Sequence, residues 1–234
     1  MSGPVHPGPI GRPAVTVIAK WPAGGRVKTR LRRVVGAELG AELQRAFLRD
    51  TLEHLAPLAG EGVDLILALD QPTGAPAELG AGPEVRIELQ GPGDLGTRMA
   101  RNFRRRLVRE RRPRAVLIGS DLPSLPCALV RQALRVLHRV PIALGPTADG
   151  GYYLIGLSML VPALFRGIPW STARVQKATL QAAQSAGVAL KLVQAWDDVD
   201  TPADLARLQQ ELSRRPEAAP HTAKLLLAIP PLPV

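Results

Sequence analysis

Apolar positions along the chain follow two periods in turn. Short runs such as AVTVIA (14–19), VDLILALD (63–70), VRIEL (85–89), RAVLIGSD (114–121), PIALGP (141–146), YYLIGL (152–157) and VALKLVQ (188–194) read as strands. Between them, leucines and phenylalanine recur at helical spacing over Ala37–Leu58, and helical patterns cover the segment opened by GPGDLG, Cys127–Val140, a segment capped by Ser171 or Thr172 and running to about Ala186, and DTPADLARLQQEL (200–212). The second strand is almost wholly apolar, as expected where a sheet is covered on both faces. Strand and helix in alternation predict one α/β domain of three layers with a mostly parallel central sheet. The pattern places this body at 14–213, between a flexible tail at 1–13 and a proline-rich tail at 214–234. The end LLLAIPPLPV either packs on the body or trails from it, and its prolines argue against a helix there.

Composition sharpens the picture in one respect, charge. At 234 residues the chain can bury a real core, and its net charge is +10. That balance suits a polyanionic partner: nucleic acid, a membrane surface or a phosphorylated small molecule. Much of the excess lies in RMARNFRRRLVRERRPR (98–114), where Met99, Phe103, Leu107 and Val108 form an apolar stripe and the arginines fall elsewhere, which reads as a solvated helix face. Nucleic-acid binding calls for aromatics among the cations, and this run has only Phe103, on the stripe. Cys127 is alone, so no internal disulfide or cysteine-based zinc site forms, and the four histidines lack metal-ligand spacing. With no secretion signal at the start and no segment of ~20 apolar residues, a soluble cytoplasmic protein is expected.

In doubly wound folds ligands sit at the carboxyl ends of the strands. After the first strand, KWPAGGRVKTRL places Lys20, Arg26, Lys28 and Arg30 around Gly24 and Gly25, a loop able to hold phosphate through backbone amides and cations, although it is not a Walker A loop. After the fourth strand comes Asp121, and after the last come Asp198 and Asp200, two apart and on one side of an extended chain. Carboxylates forced together repel, and Asp121, Asp198 and Asp200 make an oxygen-rich set suited to Mg²⁺ or Mn²⁺ bridging phosphate oxygens. Thr201, Pro202 and Asp204 have a plainer use as cap and first turn of the last helix. GPGDLG places Asp94 and Gly96 at a helix start, as cap and turn or as contacts to a base, ribose or sugar. ADGGYY places Asp149, Gly150, Gly151 and Tyr152 near an acceptor or nucleotide, while Tyr153 points the other way along the strand, toward the core.

The motifs AKWPAGGRVKTRL, GDLGTRM, GSDLPSL, GPTADGGYYLIGL, IPWST and DVDTPADL, in that order from about Val15 to Leu212, resemble the DUF2064 family of bacterial transferases. That family is assigned to the nucleotide-diphospho-sugar transferase superfamily and its GT-A fold, which is Rossmann-like. More distantly, the chain is similar to 2-phospholactate guanylyltransferases and to molybdenum-cofactor nucleotidyltransferases. The resemblance implies phosphate binding by Lys20, Arg26, Lys28 and Arg30 and metal binding by Asp121, Asp198 and Asp200. Lys28 and Asp149 are the candidates for a direct catalytic role, and for Asp94, Asp149, Gly150, Gly151 and Tyr152 the resemblance implies proximity to substrate.

Two reactions follow. A sugar passes from a nucleotide-diphosphate sugar to a small-molecule acceptor, or a nucleoside triphosphate is joined to a phosphorylated small molecule with release of pyrophosphate. Both rest on positioning and charge neutralisation. The family label favours glycosyl transfer. The absence of Asp-x-Asp after the central strand, where Leu122 and Pro123 follow Asp121, and the basic first loop favour nucleotidyl transfer. A non-catalytic nucleic-acid-binding protein is the remote alternative.

Overall fold

The computed structural model of the protein describes residues 11–23, 27–28, 30–72 and 76–232. Gly24, Gly25 and Arg26 of the first loop, and the stretch 1–10, lie outside the described residues. The strands are β1 (Ala14–Ala19), β2 (Asp64–Leu69), β3 (Val85–Leu89), β4 (Ala115–Ile118), β5 (Ile142–Pro146), β6 (Tyr152–Leu157) and β7 (Leu190–Leu192). They form one sheet in the order β3-β2-β1-β4-β6-β5-β7. All neighbours run parallel except β6, which is antiparallel to both β4 and β5. The cause is local. Only residues 147–151 separate β5 from β6, and a parallel crossover needs a dozen or more.

Alternation along the central strands divides the core in two. Val15 and Val17 of β1 and Val116 and Ile118 of β4 face one cluster, with Leu48, Leu52, Leu58, Leu129 and Val130 from the helices α1 (Arg32–Leu55), α2 (Pro57–Gly60) and α4 (Cys127–Val136). Ala115, Leu117, Ile142 and Ile155 face the other, with Met99 and Phe103 of α3 (Leu95–Phe103) and Ala183 of α5 (Val175–Ser185). This is the expected three-layer α/β domain. Gly36, at φ 80°, breaks the first turn of α1, so its regular part starts where the apolar periodicity does. The helix expected from Ser171 or Thr172 begins later. Ser171 sits at φ 62° and the Thr172 hydroxyl accepts from the Arg174 amide at 3.3 Å, closing a turn ahead of α5.

Two expectations need correction. The arginine-rich run is not simply a solvated face. Past α3 the chain continues in π-helical turns over Arg104–Arg109, and Arg106 is wholly buried between Glu88 and Glu110. Arg86 and Arg105 also reach both acids, and Arg112 reaches Glu110 at 3.2 Å and Asp64 at 2.5 Å. The segment after 214 also folds onto the body: α7 (Pro220–Leu226) packs Ala223 and Leu226 with Phe47 and Leu43 of α1 and with Leu208 and Leu212 of α6 (Pro202–Arg214). Proline does not prevent this helix because Pro220 occupies its first turn, where no amide is needed. The buried Asp50 carboxylate serves the other free amides, accepting from His221 N and Thr222 N, each at 2.9 Å, and from the Thr222 hydroxyl at 2.6 Å.

The buried network differs in energy from a surface pair. Burial pushes the Glu110 carboxyl up, but Arg106, Arg86 and Arg112 more than offset this and hold it below its ordinary value. Removing one partner of a buried set strands the opposite charge. Glu110→Gln is therefore expected to lower stability by about 3–5 kcal/mol, against a much smaller loss for Arg131→Gln, which breaks only the exposed pair with Glu61. Urea unfolding of the two variants measures the difference, and equal losses would refute the buried role.

Candidate active site

The chain runs from β1 to β2 and β3 on one side and to β4 on the other, so its direction reverses between β1 and β4. Loops leaving their carboxyl ends part there and leave room for a ligand. At that point stands Lys28, in the left-handed backbone region at φ 51°, with its side chain 2% exposed. Its ammonium lies 2.7 Å from Asp121 Oδ1, donates to the Val199 carbonyl at 2.8 Å and sits 4.4 Å from the centre of the Phe47 ring. The Val199 amide donates to the Asp121 carbonyl at 2.9 Å. The first loop, the end of β4 and the approach to α6 are thereby joined at one charge. Lys28, a phosphate-binding candidate by its place in the first loop, pairs with Asp121 and borders the cavity in front.

Two cavities adjoin at this node. One, of about 440 Å³, is bordered by Lys20, Arg30, Gln90, Arg98, Ser120 and Asp121 among others. The second, of about 400 Å³, is bordered by Thr147, Asp149, Gly151, Tyr152, Trp170 and Asp198. Arg30, Leu95, Ser171 and Asp200 border both. The Arg30 guanidinium meets Asp200 at 3.0 Å, so an ion pair marks the seam.

Carboxylates crowd the second cavity. Burial pushes the Asp198 carboxyl up to about 7, and the charges of Asp200, Asp121 and Asp149 act in the same direction. Burial and Asp121 raise Asp200 too, against the pull of Lys28 and Arg30. Among the described residues, no three His, Cys, Asp or Glu side chains are gathered closely enough to hold a metal by themselves. The donor set nevertheless fits a hard cation in part, since Mg²⁺ is commonly held by one or two carboxylates with the remaining positions filled by water and substrate phosphate. Asp204 stands apart from this cluster. It forms a capping box with Thr201, the plainer role that its position predicts.

The glycine loops have local reasons of their own. Asp94 caps α3, its carboxylate accepting from the Thr97 amide at 2.8 Å. A Cβ on Gly96 would stand 2.4 Å from Trp170 Nε1, so this glycine admits the indole that walls the second cavity. Gly150, at φ 85°, lies where a Cβ would stand 2.2 Å from the Ala173 carbonyl, so the 147–151 turn and the 169–174 segment seat against each other there. Asp149 Oδ1 accepts from the Thr147 hydroxyl at 2.5 Å and the Gly151 amide at 2.9 Å, which shapes the turn. Tyr152 borders the second cavity with its ring, but its hydroxyl is buried beside Thr179, with neither oxygen in good hydrogen-bonding geometry. It is thus a wall and not a hydroxyl contact. Tyr153 is core, and its hydroxyl donates to the Gln194 carbonyl at 3.0 Å.

Several bordering residues escaped the sequence reading. Gln90, buried at the end of β3, donates to the carbonyls of Ala19 at 2.7 Å and Ala68 at 2.9 Å and accepts from Arg98 at 2.8 Å. A polar residue directly after an apolar strand and before Gly-Pro-Gly was its available signal. Gln44, which meets Ser120 at 3.1 Å, had none, while Ser171 lies within the IPWST motif.

The aspartate crowding has a measurable sign. Asp198 ionises near pH 7 in the folded chain against 3.8 ordinarily, so the stability contributed by its neutral form is full below about pH 4 and lost as pH rises through about 7. Asp198→Asn is expected to unfold at higher urea than wild type at pH 8 in EDTA and at nearly the same urea at pH 4. Parallel pH profiles for the two would remove the repulsion.

The family described as "Uncharacterized protein conserved in bacteria (DUF2064)" matches residues 51–172. A Desulfovibrio desulfuricans protein, provisionally described as a nucleotide-diphospho-sugar transferase, is 34% identical with a TM-score of 0.84, over 94% of this chain and 95% of that one. CMP:2-keto-3-deoxy-manno-octonic acid synthetase, complexed with CTP, is 15% identical with a TM-score of 0.56, over 87% of this chain and 99% of that one. A nucleotidyl transferase from Methanothermobacter is 17% identical with a TM-score of 0.57, over 87% and 98%. The last two share the fold alone. No curated protein matches the chain. Also, among the described residues, no helix is long and apolar enough to cross a membrane. The chain belongs to the DUF2064 family and carries its domain on a nucleotidyltransferase-like fold.

Proposed function

We propose that this chain is a divalent-metal-dependent transferase that moves a sugar from a nucleotide-diphosphate donor to a small-molecule acceptor. The observation that carries the reading is the seam. A cation-lined cavity and a carboxylate-lined cavity meet at Arg30 and Asp200, with Asp198 beside them. Lys20, Arg30 and Arg98 suit the donor's diphosphate, and the Gly24–Arg26 stretch, outside the described residues, extends the same loop. Asp94 and Gly96 act through the start of α3, whose Leu95 borders both cavities.

Asp198 and Asp200 would hold Mg²⁺ or Mn²⁺, with Asp121 behind them, itself held by Lys28. The ion, when bound, neutralises the leaving diphosphate. In the transfer, the bond from the sugar's anomeric carbon to the diphosphate oxygen breaks and a bond to the acceptor oxygen forms. Asp149 borders the acceptor cavity, and its Oδ2 is free of the turn contacts that engage Oδ1, so it is placed to take the acceptor's proton. Gly150, Gly151, Tyr152 and Trp170 form the wall against which the acceptor rests. Lys28 positions Asp121 from the border of the donor cavity.

Two observations favour a second reading, nucleotidyl transfer with release of pyrophosphate. Lys20, Arg30 and Arg98 at the first cavity suit a triphosphate as well as a diphosphate, and Asp-x-Asp is absent after β4.

Thermal shift and calorimetry separate the readings, since a ligand of the folded state raises its melting point. With Mg²⁺, nucleotide-diphosphate sugars are expected to stabilise wild type and EDTA to abolish the effect. Asp198→Asn and Asp200→Asn are expected to weaken binding on the order of tenfold or more, with circular dichroism unchanged. Stabilisation by nucleoside triphosphates alone selects the second reading. Binding of equal strength in EDTA by wild type and both variants refutes the metal. A basic nucleic-acid-binding protein would instead bind polynucleotides with steep salt dependence and keep that binding in both variants.

A further inference from the structure

A third cavity, of about 450 Å³, lies on the flank of α3 and shares no bordering residue with the two at the candidate active site. Its border includes Arg101, Arg104, Arg109 and Arg166, together with Leu160 and Phe165, and no acidic residue. The floor is fixed, because Phe165 stacks on the buried Phe103 with ring centroids 5.6 Å apart.

The arginines of this region are sorted by side. Arg86, Arg105, Arg106 and Arg112 are all consumed by Glu88, Glu110 and Asp64. The Arg104, Arg109 and Arg166 guanidiniums have no ion pair or hydrogen bond among the described residues, and the Arg101 guanidinium donates only to neutral carbonyls, those of Gln90 at 2.6 Å and Pro92 at 2.7 Å. The same short segment thus pairs its inward guanidiniums with carboxylates and leaves its cavity-side ones without counter-charge. Like charges gathered around one cavity repel, and no ion pair among the described residues offsets the repulsion.

We propose that this cavity binds a small phosphorylated compound with an apolar body. The guanidinium fork matches phosphate oxygens in pairs, and a phosphate dianion answers several unpaired cations better than a monocarboxylate does. The volume is that of a small-molecule site, and the Leu160 and Phe165 floor requires an apolar portion beyond the phosphate. The site is separate from the donor and acceptor cavities, so it stands whichever reaction they support.

Octyl phosphate is the probe, with inorganic phosphate and vesicles of phosphatidylglycerol or phosphatidylcholine alongside, all at fixed ionic strength. Octyl phosphate is expected to raise the melting temperature of the full chain saturably, and inorganic phosphate to do so only at far higher concentration. The double variant Arg104→Gln with Arg166→Gln is expected to bind octyl phosphate on the order of tenfold or more weakly. Its urea midpoint at low salt should be no lower than that of wild type, because repulsion has been removed. The control Arg135→Gln with Arg139→Gln removes the same charge from exposed positions elsewhere and is expected to bind like wild type. The proposal is overturned if octyl phosphate gives no saturable shift, if inorganic phosphate matches it, or if the control loses as much binding as the double variant. Capture by phosphatidylglycerol vesicles without binding of free octyl phosphate would also overturn it, in favour of a membrane surface.

Discussion

The Lys28 ammonium is buried among the Asp121 carboxylate, the Val199 carbonyl and the Phe47 ring, and the remaining parts of the candidate site are placed relative to it. A charge taken out of water is costly, and the cost is offset only where every partner stays in reach. The node therefore does more than join two side chains. It fixes the first loop against the end of β4 and against the approach to α6, the segments that carry Arg30, Asp121 and Asp200. Phe47 extends the constraint outward, since its ring also belongs to the cluster that receives α7. A helix at the far end of the chain thus supports the residue on which a site cation rests.

A second constraint comes from chain connectivity. Because the 147–151 connection is too short for a crossover, β6 must run against its neighbours, and its first residue lies at the end of the sheet where β1 and β4 finish. The acidic turn arrives there without any further device. Asp149 then opposes Asp198 across the second cavity, and Gly150 lets the Ala173 carbonyl close against the turn. The wall of Trp170 follows from that closure and from the missing side chain at Gly96.

What was legible in the sequence is what local chemistry decides. Strand alternation, the Thr201–Pro202–Asp204 start of α6, the Asp94 cap and the opposite facing of Tyr152 and Tyr153 all depend on residues a few positions apart. The strand ends also placed Asp121, Asp198 and Asp200 on one side of the sheet. Long-range pairing was not legible. Nothing near Lys28 announces that its partners are Asp121 and Val199, and nothing near Arg106 announces Glu88. Asp50 lies far along the chain from the helix whose amides it serves, so the packing of that helix on the body could not be read from its neighbours. Gln90 was missed for a related reason, since its three partners come from three different segments.

The net charge takes on a different meaning in this light. A sum of +10 suggests a broad basic surface, yet several of the arginines responsible are spent inside the fold on Glu88, Glu110 and Asp64. What remains uncompensated is divided in sign and in place. Cations border the first cavity and the flank of α3, while Asp198 and its neighbours form a negative pocket within a positive protein. Such an arrangement is unfavourable in the ligand-free chain on both counts, because like charges face each other and the ion pairs Lys28–Asp121 and Arg30–Asp200 offset only part of the repulsion. A ligand set with phosphates for the cations and a divalent ion for the carboxylates would relieve both at once. The imbalance is spatially organised around a seam, and a purely structural charge distribution has no reason to be. That organisation is the physical argument for reading the seam as the place where a donor and an acceptor meet.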